Sequence, residues 1–141
     1  METKKQGLAV ITLYQPWAQF ILNGWKTIET RNHNRFECLF GKEIMIHAGA
    51  NFDKNWYELS KNYLTKEQLN ETWKWSANKL PSQILCTAFV NGFSTLTEKH
   101  SKFALLDCSN INKFGLYLTD IKPIKPILIK GSQGIWYYET I

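Results

Sequence analysis

Five residues between positions 15 and 31 have side chains suited to nucleotide binding or acid–base chemistry. They are Gln15, Trp17, Lys26, Glu29 and Arg31. A lysine beside a carboxylate can bind a phosphate or carry a proton, and a lysine partly desolvated by aromatic rings has a lowered pKa and can act as a general base. The same residues are also compatible with a surface salt bridge beside a buried tryptophan.

The position of Lys26 relative to the next strand decides whether these side chains can meet. Residues 26–31 predict a strand, in which ideal alternation puts Glu29 and Arg31 on one face and Lys26 on the other. Lys26 follows Gly24 closely, however, and can precede the strand proper. In that position its side chain can turn toward Glu29.

A glycine-containing segment near the C-terminus offers a second candidate site. Residues 130–134 lie between two predicted strands and therefore predict a hairpin connection. They do not form a GxSxG nucleophile elbow, which requires a strand on one side and a helix on the other. The backbone N–H groups of Gly131, Ser132 and Gly134 could instead cup a phosphate, since glycine permits the concave amide arrangement that binds anions.

Tryptophan supplies possible stacking surfaces for unpaired bases. The chain has six Trp and six Tyr, most of which must pack in the core. Trp17, Trp25 and Trp136 each lie beside a predicted turn and near charged residues. Stacking of this kind contributes roughly 1–3 kcal/mol per base, with core packing as the alternative role for each ring.

The histidines and cysteines do not have the spacing of a metal site. His33, His47 and His100 show no paired spacing with each other or with the cysteines. We therefore predict neither a metal nor another cofactor.

The charge balance is compatible with RNA but not with dense contacts to a duplex. There are 17 Lys and Arg against 12 Asp and Glu, a net charge of +5, with no polybasic tail. Only Arg31 and Arg35 are arginines, so bidentate contacts to bases or phosphates are few.

Length and composition indicate one domain over residues 1–141 in a reducing compartment. At 141 residues and 44% hydrophobic content the chain can bury a core without a metal or disulfide. No apolar run approaches the roughly 20 residues of a membrane helix, and the polar N-terminus is not typical of a signal peptide. Three widely spaced cysteines without a CxxC pair favour a cytoplasmic protein that does not contact a membrane.

Hydrophobic periodicity predicts an α+β fold that is mainly β. Strands are predicted at 7–13, 26–31, 43–47, 84–93, 114–121, 127–129 and 135–139. A short helix is predicted from Pro16 to Gly24, with Gly24 as a left-handed cap and with Trp17, Phe20 and Ile21 as a stripe that faces the core. The spacing of Phe52, Trp56, Leu59 and Tyr63 predicts a helix, and a capping box at 65–68 opens another with Leu69, Trp73 and Ser76 on one face. Pro123 and Pro126 indicate that their strand is an edge or entry segment. We expect a small β-barrel with flanking helices and a helical insertion at about 51–80.

Four segments, taken in order, resemble the ASCH (activating signal cointegrator homology) domain family of the PUA-like superfamily. They are Leu13-Tyr14-Gln15-Pro16-Trp17-Ala18, residues 22–31 with the pattern GxKxxExR, Glu43-Ile44-Met45-Ile46-His47-Ala48, and residues 129–136. The resemblance covers most of the chain. It implies a PUA-like barrel with a cleft beside the GxKxxExR strand, and binding of RNA or a modified nucleoside by residues that include Gln15, Pro16, Trp17 and Arg31.

The resemblance also implies two possible enzymatic activities. Some bacterial members hydrolyse the acetyl amide of acetylated cytidine, and at least one relative has been assigned ribonuclease activity. Lys26 matches the lysine of the deacetylating members, but Glu29 replaces their catalytic threonine. Their further glutamate has Glu98 as its only nearby counterpart here.

Three hypotheses of different classes follow. The first is binding of single-stranded RNA or one extruded nucleotide, in which Lys26 and Arg31 neutralise phosphate and Glu29 accepts from a base amino group. The second is an amidohydrolase or ribonuclease with Lys26 as base and Glu29 as its partner. The third is a module whose exposed aromatic side chains contact a protein partner.

Overall fold

The structure is a computed structural model that describes residues 7–109 and 112–139. Within these residues six strands form one mixed sheet in the order β2-β5-β4-β3-β1-β6. The strands are β1 Leu8–Gln15, β2 Ile28–Arg31, β3 Glu43–Phe52, β4 Gln83–Thr95, β5 Phe114–Leu128 and β6 Ile135–Tyr138. β1 and β3 are parallel, and the other neighbours are antiparallel.

Short helices connect the strands. They are α1 Trp17–Leu22, α2 Trp56–Ser60, α3 Lys66–Ala77 and α4 Ser101–Ala104, with 3₁₀ helices at Arg35–Leu39 and Glu98–His100. The fold is therefore α+β and mainly β, as predicted. In the described part of the chain no helix combines the length and apolar character needed to cross a membrane.

The sheet curls strongly, which matters for the site. β2 lies four strands from β1, about 19 Å in a flat sheet and beyond the reach of one side chain. Arg31 at the end of β2 nevertheless donates from Nη2 to the Thr12 carbonyl on β1, at 3.3 Å. The strand ladders of the described residues do not join the β2 and β6 edges, so the predicted closure into a barrel is not established.

The predicted hairpin around residues 130–134 is wrong. β6 pairs antiparallel with β1, as in Ile135 with Ile11, whereas the end of β5 pairs with β4. Pro123 and Pro126 deprive β5 of amide donors there, and β1 offers an uninterrupted edge instead. Segment 130–134 is therefore a connection between two parts of the curled sheet.

The edge character predicted from these prolines is present in the structure. β2 pairs only with residues 114–117 of β5, so within residues 7–109 and 112–139 the remainder of β5 has β4 as its single strand neighbour. Pro123 and Pro126 both fall in this part.

Helix α1 lies on the core and brings the chain to the start of β2. Trp17, Phe20 and Ile21 are buried, as their spacing predicts. Gly24 has a φ of +77° and donates its N–H to the Ile21 carbonyl at 2.9 Å, which ends the helix with a left-handed residue.

Two helices lie between β3 and β4, where the helical insertion is predicted. The capping box is confirmed, since the Gln68 N–H donates to Thr65 Oγ1 at 3.1 Å and the Thr65 N–H donates to Gln68 Oε1 at 2.9 Å. The first of these helices begins at Trp56 and does not include Phe52, because Phe52 is still part of β3.

The face predicted for α3 is displaced by about one residue. Thr72 is fully buried, and Leu69 and Trp75 pack against the core. Trp73 is 49% exposed and contacts the rim of the core through Trp56, at 4.8 Å between ring centroids. Trp75, and not Trp73, is therefore the tryptophan of α3 that faces the core.

Candidate functional site

A cleft of about 790 Å³ opens where the sheet curls. Its walls come from β1, β2 and β3, the 3₁₀ helix Arg35–Leu39 and the connection 130–134. We call it the basic cleft. Seven of the site residues predicted from the sequence line it, namely Trp17, Lys26, Glu29, Arg31, Gly131, Ser132 and Gly134.

Gln15 and Pro16 are buried beside the cleft but do not line it. The Gln15 side chain accepts the Gln19 N–H at 3.1 Å, and its carbonyl accepts the Asp53 N–H at 2.6 Å. Through these two hydrogen bonds Gln15 links α1 to the residues after β3.

Two other tryptophans and Glu98 also lie outside the cleft lining. Trp25 stacks on Trp75 in the core, with centroids 5.4 Å apart. Trp136 donates Nε1 to Thr12 Oγ1 at 3.0 Å from the edge strand β6. Glu98 is exposed on a 3₁₀ helix.

Lys26 lies at the floor of the basic cleft. Its side chain is 1% exposed and its ammonium donates to the Ala104 carbonyl at 2.6 Å. The strand proper begins at Ile28, so Lys26 precedes it and is free of the strand's alternation. As a result Nζ lies 3.8 Å from Glu29 Oε1.

Burial makes this lysine unusually easy to deprotonate. Loss of solvent lowers the pKa of Lys26 from 10.5 to about 8. The carboxylate of Glu29 raises this pKa, while the cations Arg31 and Lys113 lower it. Lys26 therefore loses its proton at a lower pH than an exposed lysine does.

Arg31 completes a line of three charges. It lies two residues after Glu29 on the same face of β2, and its Nη2 is 3.1 Å from Glu29 Oε2. Its guanidinium carbon is 4.8 Å from the centre of the Phe36 ring, in cation–π contact. Glu29, with a side chain only 8% exposed, is thus shared by two cations.

Trp17 desolvates the floor. Its indole Nε1 donates to Asp53 Oδ2 at 2.8 Å, which fixes the ring, and Lys26 Nζ lies 5.1 Å from the ring centre. The ring contributes a cation–π contact while it excludes water from the ammonium.

Three further cations line the cleft that were not predicted from the sequence as site residues. Arg35, Lys113 and Lys130 line it together with Lys26 and Arg31, against the carboxylates of Glu29 and Asp53. These three residues come from separate connections, so no local motif unites them. The one signal in the sequence is that arginine occurs only at positions 31 and 35, and both arginines line this cleft.

His47 and Gly131 form one corner of the cleft. The buried His47 donates Nε2–H to the Ile129 carbonyl at 2.7 Å, so Nδ1 carries the lone pair, and Nδ1 has no hydrogen-bond partner among the described residues. A Cβ on Gly131 would lie 2.6 Å from that Nδ1 and 2.5 Å from Thr12 Oγ1, so glycine is required for this approach. Burial lowers the pKa of His47.

Metal ligation receives no support from side-chain clustering. Among residues 7–109 and 112–139, no three or more His, Cys, Asp or Glu side chains are grouped so that they could hold a metal ion.

No protein-family model matches the sequence, and no curated protein matches it either. Solved structures do. The ASCH protein of Zymomonas mobilis superposes with a TM-score of 0.56 at 16% identity, covering 93% of this chain and 87% of that one. The chain has the ASCH-domain fold.

Two variants of the same Zymomonas mobilis protein, ZmASCH, give the same result. A serine-to-alanine variant has a TM-score of 0.54 at 16% identity over 97% of this chain and 92% of that one. A tyrosine-to-phenylalanine variant has a TM-score of 0.53 at 16% identity over 93% and 89%. The likeness concerns the fold, and in this ASCH fold the basic cleft lies beside the strand with the GxKxxExR pattern.

Proposed function

We propose that the basic cleft binds one nucleotide of a single-stranded RNA. The observation that carries this proposal is charge, since five cationic side chains face two carboxylates in one concavity. The volume of about 790 Å³ lies within the range of roughly 300–1,000 Å³ common for small-molecule sites. The resemblance to ASCH domains, which implies RNA or nucleoside binding, supports the same class of ligand.

The residues have different exposures and therefore different roles. Arg35 and Lys130 are exposed at the rim, where they can contact phosphate without moving buried groups. Lys26, Glu29 and Arg31 lie deeper, and Glu29 can accept a hydrogen bond from a base amino group. Trp17 supports Lys26 rather than lying free for stacking, because Asp53 holds its indole.

Binding of a short single-stranded RNA at several salt concentrations tests the proposal. We expect Arg35→Gln and Lys130→Gln each to weaken binding and to reduce the salt slope by about 0.7, the value for one phosphate contact to a single strand. Lys79→Gln and Lys125→Gln are matched controls, since both lysines are exposed and lie outside the cleft lining. Equal binding by all four variants would contradict the proposal and favour a protein-binding module.

A second candidate function is hydrolysis of the acetyl amide of an acetylated cytidine, favoured by the pKa of about 8 for Lys26. The neutral amine would take a proton from water as the water oxygen bonds to the acetyl carbon. The carbon–nitrogen bond would then break, the ammonium would return the proton to the leaving nitrogen, and the products would be acetate and cytidine.

Incubation of the pure protein with acetylcytidine tests this activity, with cytidine measured by chromatography. We expect turnover to rise with pH and to level off above about pH 8, where Lys26 is neutral. Lys26→Met should abolish turnover, and Lys79→Gln should leave it unchanged. Absence of turnover by folded wild-type protein would remove this candidate while leaving RNA binding untouched. The same preparation incubated with RNA tests for strand cleavage.

A further inference from the structure

A second concavity of about 550 Å³ adjoins the basic cleft and has a different character. Three phenylalanine rings line it, together with two hydroxyl side chains and one carboxylate. Its lining residues are Phe40, Phe93, Phe114, Ser94, Thr95 and Glu37. We call it the aromatic groove.

Two segments of the chain contribute to both concavities. In the 3₁₀ helix Arg35–Leu39, Arg35 lines the basic cleft and Glu37 lines the aromatic groove. At the start of β5, Lys113 lines the cleft and Phe114 lines the groove. Arg31 of the basic cleft is also the strand partner of Phe114 in the antiparallel β2–β5 pair, so the two side chains lie side by side on one face of the sheet and the two concavities adjoin there.

Two of the rings in the groove stack on each other. Phe93 on β4 and Phe114 on β5 are nearly parallel, at 9° between planes and 5.8 Å between centroids. Phe93 pairs with Leu116, which places Phe114 at the diagonal position on the same face of the sheet. Phe40 at the mouth of the groove is 57% exposed, although its ring is apolar.

Hydrogen bonds fix the polar wall of the groove. The Thr97 N–H donates to His100 Nδ1 at 2.9 Å, so the other ring nitrogen carries the proton and donates to Tyr117 Oη at 2.9 Å. Tyr117 in turn donates to Ser94 Oγ at 2.6 Å, and Ser94 donates to the Thr95 carbonyl at 3.0 Å. The wall beside the phenylalanine rings is therefore preorganised.

We propose that the aromatic groove stacks the base next to the nucleotide held in the basic cleft. This inference rests on the proposed RNA binding and specifies a ligand of at least two nucleotides. The carboxylate of Glu37 disfavours a phosphate inside the groove, whereas the phenylalanine rings that line it suit the face of any base. Lys113 lies at the boundary and can neutralise the phosphate that links the two nucleotides.

Titration calorimetry with a mononucleotide and a trinucleotide tests the inference. We expect Phe40→Ala to weaken trinucleotide binding about five-fold or more and to leave mononucleotide binding unchanged. Phe103→Ala is the matched control, because Phe103 is 45% exposed on α4 and lines neither concavity. Phe114→Leu, which keeps apolar bulk without a ring, should act in the same direction as Phe40→Ala.

Trinucleotides without a base at one or the other end identify the stacked position. The trinucleotide that lacks the stacked base should bind more weakly to the wild type and should no longer respond to Phe40→Ala. Unchanged trinucleotide affinity in Phe40→Ala, with weakened affinity in Arg35→Gln, would overturn the groove and leave the cleft in place. Unchanged affinity of both ligands in Arg35→Gln would overturn the proposed function, and the groove with it.

Discussion

Glu29 Oε1 lies 3.8 Å from the Nζ of Lys26, and both side chains are more than nine-tenths buried. The contact exists because Lys26 precedes β2 while Glu29 belongs to it. The other oxygen of Glu29 pairs with Arg31 at 3.1 Å. One buried carboxylate therefore compensates two cations, which leaves the floor of the cleft with excess positive charge and suits it to an anionic ligand.

Replacement of this carboxylate should destabilise the protein. Glu29→Gln leaves the buried Lys26 and the partly exposed Arg31 without their shared carboxylate, which costs about 3 kcal/mol in free energy of unfolding. Urea denaturation at pH 7 measures the loss. The control Glu58→Gln breaks the exposed pair between Glu58 and Lys61, and it should leave the midpoint unchanged. Equal stability of the Glu29→Gln variant and the wild type would contradict the shared-carboxylate interpretation.

The charge on Lys26 should make stability depend on pH. The folded-state pKa of about 8 lies below the unfolded value of 10.5, so the unfolded chain binds more protons between these two pH values. The free energy of unfolding contributed by this group therefore rises with pH from about 8 to 10.5.

Comparison of the wild type with Lys26→Met isolates this effect, because every other titratable group is common to the two proteins. We expect the stability of Lys26→Met relative to the wild type to be greatest near pH 7 and to fall by pH 10. The difference between the folded and unfolded pKa values of Lys26 corresponds to roughly 3 kcal/mol of unfolding free energy. Urea unfolding at the two pH values checks it, and a constant difference between the two proteins would show that Lys26 does not titrate in this window.

Gly131 should tolerate no side chain. In Gly131→Ala the new Cβ meets Thr12 and His47 at 2.5–2.6 Å, so the connection 130–134 must move away from the cleft wall. Overpacking of this kind costs about 1–3 kcal/mol in unfolding free energy, and thermal denaturation measures it. Gly49→Ala provides the comparison, because its Cβ would find its nearest neighbour at an ordinary 3.6 Å. Similar melting temperatures for the two variants would count against the close approach.

His47 should lower stability in acid. Since its folded-state pKa lies below 6.5, the unfolded chain takes up the proton first, and stability falls as the pH drops below about 6.5. Protonation would also add a buried N–H donor at Nδ1, and none of the residues that the structure describes accepts a hydrogen bond there. His47→Gln can keep the donor to Ile129 without titrating. We expect less loss of stability between pH 7 and pH 5 in this variant, and an equal loss would refute the assignment.

Local sequence patterns predicted the elements that depend on neighbouring residues. The capping box at Thr65 and Gln68, the left-handed Gly24 and the buried stripe of Trp17, Phe20 and Ile21 all have the predicted form. Each depends on backbone geometry and side-chain periodicity over a few residues, which the sequence contains directly.

The sequence by itself determined the α+β class, most strands and the grouping of Lys26, Glu29 and Arg31 within one short segment. Only the tertiary structure decided that β6 pairs with β1, and that Arg35, Lys113 and Lys130 join this group. The reason is physical. Strand pairing and the gathering of distant cations depend on how the sheet curls, and the curl is set by contacts between residues far apart in the chain.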